Sequence, residues 1–135
     1  MEFAVLFKGV PNFLLYLALG SALLVAFFVI YLWVTPHDEL RLIRAGNSAA
    51  ALSLGGAVIG FMLPLGMVIA HHATFVSVAF WGVVALIVQV VAFFIARALV
   101  PGLPQAIEGG KNAVGAFSGL VALAIGILNA ACQIE

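Results

Sequence analysis

Residues 47–96 read NSAAALSLGGAVIGFMLPLGMVIA, then HH, then ATFVSVAFWGVVALIVQVVAFFIA, and contain no Asp, Glu, Lys or Arg. A helix crosses a bilayer core of about 30 Å with roughly 20 residues. This stretch is far too long for one such crossing and about right for two. His71-His72-Ala73-Thr74 supplies the polar turn between them. Two apolar helices joined by a short turn form a membrane hairpin, because only a helix satisfies its own backbone groups within a single span.

Working outward, the same pattern repeats on both sides. Asn12 to Val34 is charge-free before the hairpin, and Asn112 to Ile134 is charge-free after it. The charged residues are Glu2, Lys8, Asp38, Glu39, Arg41, Arg44, Arg97, Glu108, Lys111 and Glu135, all outside these stretches. The chain of 135 residues is 66% apolar and 7% charged, with a mean hydropathy of +1.31. A soluble domain of this size could not hide that much hydrocarbon from water. The reading is an all-α integral membrane protein: one transmembrane domain over residues 1–135, with four transmembrane helices. A net charge of zero leaves no basic footprint for nucleic acid.

The first span is too long for a cleaved signal and lacks a small-x-small site. The single cysteine, Cys132, excludes an intramolecular disulfide and reads as a small apolar residue near a helix end. Four of the five basic residues fall in or beside the two loops at about 35–46 and 99–111. The positive-inside rule therefore places these loops in the cytoplasm and both termini outside.

The first loop, Thr35 to Gly46, reads as a short helix lying in the interface. Thr35-Pro36 serves as its start, acids lead, and Arg41 and Arg44 trail towards lipid phosphates. The second long loop, Pro101 to Lys111, has the same plan of proline, acid and closing glycines. A shift of 64 residues pairs Ile43 with Ile107, Gly46 with Gly110, Ala49 with Ala113 and Gly55 with Gly119.

Spans one and three are bulky, with Phe13, Tyr16, Phe27, Phe28, Tyr31 and Trp33 against Phe75, Phe80, Trp81, Phe93 and Phe94. Spans two and four carry small residues at helical spacing: Ser53, Gly56 and Gly60 in one, Gly115, Gly119 and Gly126 in the other. Small residues three or four apart let membrane helices approach closely. Spans two and four should then form the packed seam, with the bulky pair facing lipid or covering it. Both halves run in the same direction, so the expected architecture is a parallel duplicated two-helix repeat, about 12–70 and 73–134.

Chemistry-bearing groups are few. The polar candidates are Asn47, Gln89, Asn112 and Asn129; Asn47 or Ser48 should cap the second span, and Gln89 sits deep in an apolar run. Pro64 should kink the second span by freeing the carbonyl of Gly60, and so widen a cavity near the outer leaflet. His71 and His72 diverge on a helix and cannot easily share a metal. No metal set, cofactor motif or catalytic dyad stands out, so no cofactor and no enzymatic activity is expected. A proton-coupled carrier would need an ionisable group at depth, and the spans hold none.

Thr35-Pro36, Asp38-Glu39, Ile43-Arg44-Ala45-Gly46-Asn47-Ser48-Ala49-Ala50-Ala51, Gly55, Gly60 and Pro64-Leu65 resemble the bacterial inner-membrane family called domain of unknown function 350, or YjfL-like. Trp81-Gly82, Ala85, Gln89 and Gly126-Ile127-Leu128-Asn129-Ala130-Ala131 fit the same pattern. Family members commonly carry a second Gly-Asn before the last span, where this chain has Gly110-Lys111-Asn112. The resemblance implies a duplicated two-helix protein of the bacterial inner membrane and implies no activity. Two functions fit these features: a self-associating structural scaffold that recruits a membrane or cytoplasmic protein partner, or a subunit of a small channel or transporter. In the second, uncharged polar residues line a pathway between copies in a homo-oligomer.

Overall fold

A computed structural model describes residues 2–71 and 74–133. Its order is α1 (Glu2–Val34), α2 (Glu39–Arg44), α3 (Ser48–Ala70), α4 (Phe75–Leu99), α5 (Leu103–Glu108) and α6 (Asn112–Cys132). The helices α1, α3, α4 and α6 are long and apolar enough to cross a membrane. The six-residue helices α2 and α5 form the two connectors and lie at the same end of the bundle.

Helix α1 has 33 residues, so it starts well before the charge-free stretch and includes Lys8 and Pro11. At 1.5 Å per residue it is about 50 Å long, against about 35 Å for α3. Residues 2–15 of α1 are exposed throughout. Its packing starts at Tyr16, whose ring stacks on Phe75 at 4.6 Å, and continues through the buried Gly20, Phe27 and Tyr31.

The closest approach joins α3 to α6. Neither helix has a side chain in the way at the crossing. A Cβ on Gly115 would run into the backbone of Ala49, one on Gly56 into Gly119, and one on Gly126 into Gly60. These contacts ascend both helices in the same direction, so α3 and α6 run parallel. Dispersion between two backbones over several turns replaces the side-chain interdigitation of a water-soluble core.

The other side of α3 meets α1 and α4 through aromatic rings. Phe27 stacks on Phe61 with centroids 4.5 Å apart and on Tyr31 at 5.2 Å. Tyr31 meets Phe93 edge-on at 6.0 Å. The bulky helices thus divide their aromatic residues, contrary to a purely lipid-facing or covering role. Phe27, Tyr31 and Phe93 are core, whereas Phe13, Trp33, Phe80 and Phe94 are exposed. Phe61, fully buried on α3, receives Phe27, which stacks in turn on Tyr31.

Candidate functional site

Two hydrogen bonds from buried polar side chains join the long helices. Ser53 on α3 donates to or accepts from Ser118 on α6 across 3.2 Å, buried in the seam. Gln89 on α4 is 1% exposed, and its Nε2 donates to the carbonyl of Ala122 on α6 at 3.1 Å. The same nitrogen occupies the space that a side chain at Gly60 would fill. Gly60 is therefore glycine for two partners at once: the α6 backbone and the Gln89 amide. Gln89 Oε1 is buried without a hydrogen bond among the described residues.

Pro64 is buried within a continuous α3. Its missing N–H leaves the Gly60 carbonyl without its helical donor. That carbonyl faces Gly126 of α6, where a side chain would collide with it. Close approach of the Gly126 backbone gives the oxygen a Cα–H neighbour in place of the lost bond. An open apolar groove lined by Val58, Ile59, Met62, Leu63, Gly66 and Met67 runs along the other face of this part of α3.

Asn47 does more than cap a helix. Its Oδ1 accepts from the Ala50 N–H at 3.0 Å, as a cap should. Its Nδ2 donates to the carbonyl of Ile107 at 2.8 Å, so one side chain starts α3 and holds the end of α5. Asn112, by contrast, is exposed at the start of α6, and Lys111 in the capping position makes no side-chain cap bond. Asn129 lies half-buried near the far end of α6, its Oδ1 accepting from Gln133 Nε2 at 3.5 Å. Cys132 is exposed at the end of the same helix.

The first connector departs from its sequence reading. Thr35 does not start α2; its hydroxyl donates back to the Tyr31 carbonyl at 3.1 Å and closes α1. Asp38 is the cap, accepting from the Arg41 N–H at 3.3 Å. Arg41 and Arg44 are exposed, and Arg41 lies 3.8 Å from Asp38. The residues from Thr35 to Leu40 alternate: Thr35, His37 and Glu39 are buried, while Pro36, Asp38 and Leu40 are exposed. The bends at Thr35–His37 and the first turn of α2 turn these three polar side chains inward.

His37 Nε2 and Glu39 Oε1 are 3.1 Å apart, with both side chains at 0% exposure. The approach is off the hydrogen-bonding direction, so neither ring nitrogen and neither carboxylate oxygen has a hydrogen bond among the described residues. Phe93 lies 6.1 Å from the imidazole and 6.0 Å from the ring of Tyr31. The charges of this loop were expected to mark a solvated boundary; Glu39 instead sits inside the protein. The one hint in the chain is the 64-residue shift, which sets Glu39 opposite the apolar Leu103.

At the hairpin turn, His71 Nδ1 lies 2.7 Å from the Met67 carbonyl, and Thr74 caps α4 by accepting from the Ser77 N–H at 3.2 Å. The expected role of His72 falls outside the described residues. No group of three or more His, Cys, Asp or Glu that could hold a metal occurs among the described residues.

The sequence profile of a family described as Domain of Unknown Function (DUF350) matches residues 5–133. The chain belongs to the DUF350 family. It is similar to the UPF0719 inner membrane protein YjfL of Escherichia coli K12, with 37% identity over 118 residues, or 87% of this chain and 89% of that protein. The UPF0719 transmembrane protein YshE of Bacillus subtilis 168 is 27% identical over 118 residues, covering 86% of this chain and 88% of its own length. No solved structure matches the chain at a significant level. This DUF350 member is therefore a membrane protein with four spanning helices, and all the features above lie within the matched region.

Proposed function

We propose that the chain is a non-enzymatic structural component of the bacterial inner membrane that associates with itself and recruits a membrane or cytoplasmic protein partner. What supports this reading most is the α3–α6 seam. Its glycines bring backbone against backbone, and Ser53, Ser118 and Gln89 bond across helices. Polar groups used in this way hold a bundle together and leave none to line a route through one copy. The exposed first half of α1, whose length exceeds what a bilayer core requires, supports contact beyond the single chain.

In this reading the protein is a parallel duplication of a two-helix unit. The connectors carry the same backbone bonds 64 residues apart: Gly46 N–H to Ile43 and Asn47 N–H to Leu42, against Gly110 to Ile107 and Lys111 to Ala106. The connector end, with exposed Arg41, Arg44, Arg97 and Lys111, faces the cytoplasm, and both termini face outward. The inner-membrane location agrees with the name of the relative in Escherichia coli.

Mass measurement of the protein purified in mild detergent tests the proposal. A multiple of 14.1 kDa, or a co-purifying protein, is expected; a strictly monomeric, partner-free species overturns it. A pathway between copies is the second reading, favoured by exposed Asn112 and by half-buried Asn129, whose Nδ2 has no hydrogen bond among the described residues. Reconstituted vesicles would then show a solute or ion flux that changes in Asn129→Leu, and absence of flux would eliminate it.

A further inference from the structure

We infer that His37 and Glu39 form a buried one-proton site that lets the first connector lie closed on the bundle while the pair is neutral and opens it when the proton count changes. The geometry sets the stoichiometry. The side chains approach to 3.1 Å and neither touches solvent. With one proton between them the pair is neutral overall, whether as imidazolium with carboxylate or as imidazole with carboxylic acid. Loss of that proton to solvent leaves a lone buried carboxylate. Uptake of a second leaves a lone buried imidazolium. A lone buried charge is strongly disfavoured, and water at an opened connector is the remedy.

Among the described residues, no other buried carboxylic acid or basic side chain accompanies the pair. On α1 the ionisable neighbour is the Tyr31 phenol; α4 presents Phe93, and α3 has no titratable residue. Arg97 at the end of α4, Glu108 on α5 and Lys111 before α6 are exposed, as are Asp38, Arg41 and Arg44 beside the pair. The architecture does not require polarity here. The position 64 residues after Glu39 is Leu103, fully buried at the start of α5, a helix of the same length as α2 with the same closing backbone bonds. Replacing a buried ion pair by apolar residues is often neutral or stabilising, so a leucine would seat α2 without any response to protons.

Amide hydrogen exchange on the full chain in nanodiscs, corrected for intrinsic rates, tests this with α5 as the internal reference. Protection of residues 35–46 relative to 99–110 should be greatest at one pH. It should fall about tenfold or more on at least one side of that maximum, across roughly pH 5–9 where histidine charge changes. In the double variant His37→Leu with Glu39→Leu the ratio should no longer vary with pH. A ratio that is flat in the unaltered protein, or equally pH-dependent in the double variant, overturns the inference.

Nitrogen-15 spectra of the histidine rings provide a second measurement that does not need the double variant to fold. With resonances assigned through His71→Gln and His72→Gln, the His37 ring resonances should shift in Glu39→Gln while those of exposed His71 stay in place. His37 resonances unmoved by Glu39→Gln overturn it equally.

Discussion

The connectors α2 and α5 are the same device built on two different interiors. Both are six-residue helices, and both end in a glycine at positive φ, Gly46 at 89° and Gly110 at 76°. In both, the glycine N–H bonds three residues back and the following N–H five residues back, the double closure that only a left-handed residue permits. They differ in what they press into the bundle. Helix α5 inserts Leu103 and Ile107, both at 0% exposure; α2 inserts Glu39 at 0% beside His37, while its Ile43 is only half-buried. They differ also in what holds them. Asn47 reaches from the start of α3 to the last turn of α5, and the equivalent position before α6 is Lys111, which returns no such bond. Helix α5 is therefore fastened by apolar burial and a clamp, whereas the first connector turns an acid–base pair of its own inward beside the half-buried Leu42 and Ile43 of α2.

The largest break in this comparison should come from moving the polar solution to the wrong connector. Leu103→Glu places a carboxylate without a basic partner in a sealed apolar site, at a cost of roughly 3–5 kcal/mol. Denaturing-detergent titration of the purified protein would measure it, and a loss below about 1 kcal/mol would mean that α5 yields to water as readily as α2. Next is truncation of the paired isoleucines. Ile107→Ala should cost about 2–4 kcal/mol, because that side chain is fully enclosed, and Ile43→Ala distinctly less by the same titration. Equal losses would erase the difference in seating.

Asn47→Ala removes a helix cap and the bond to Ile107 together, an expected loss of about 1–2 kcal/mol with faster hydrogen exchange in α5 as well as at the start of α3. Exchange that changes only in α3 would remove the clamp from the account. The smallest effect runs the other way. Lys111→Asn provides α6 with the cap side chain it lacks and should raise stability by about 0.5–1 kcal/mol in thermal unfolding. No gain would show that the start of α6 is already satisfied by water.

Much of this was legible in the chain, and unevenly so. The four spans followed from charge-free length alone, and the start of α3 from Asn47, because span and cap are local decisions of the backbone. The closing glycines were legible for the same reason. Harder to read were contacts whose two halves lie far apart: Gln89 with the Ala122 carbonyl, Asn47 with Ile107, and Phe61 with Phe27. Cap identity in the first connector was misread, since Thr35 and Asp38 both suit the role. The hydroxyl of Thr35 is taken by the turn before it.

What the sequence by itself determined is a membrane helix count and the positions of the breaks. Hydrocarbon excludes charge and unsatisfied backbone wherever the chain crosses it, whatever the helices do to one another. Tertiary structure alone decided which glycines touch and which aromatic rings are core. It also decided that Glu39, a charge at a break, lies inside the protein. Burial is a property of neighbours, and the neighbours that enclose His37 and Glu39 come from α1 and α4, the latter more than 50 residues further along the chain.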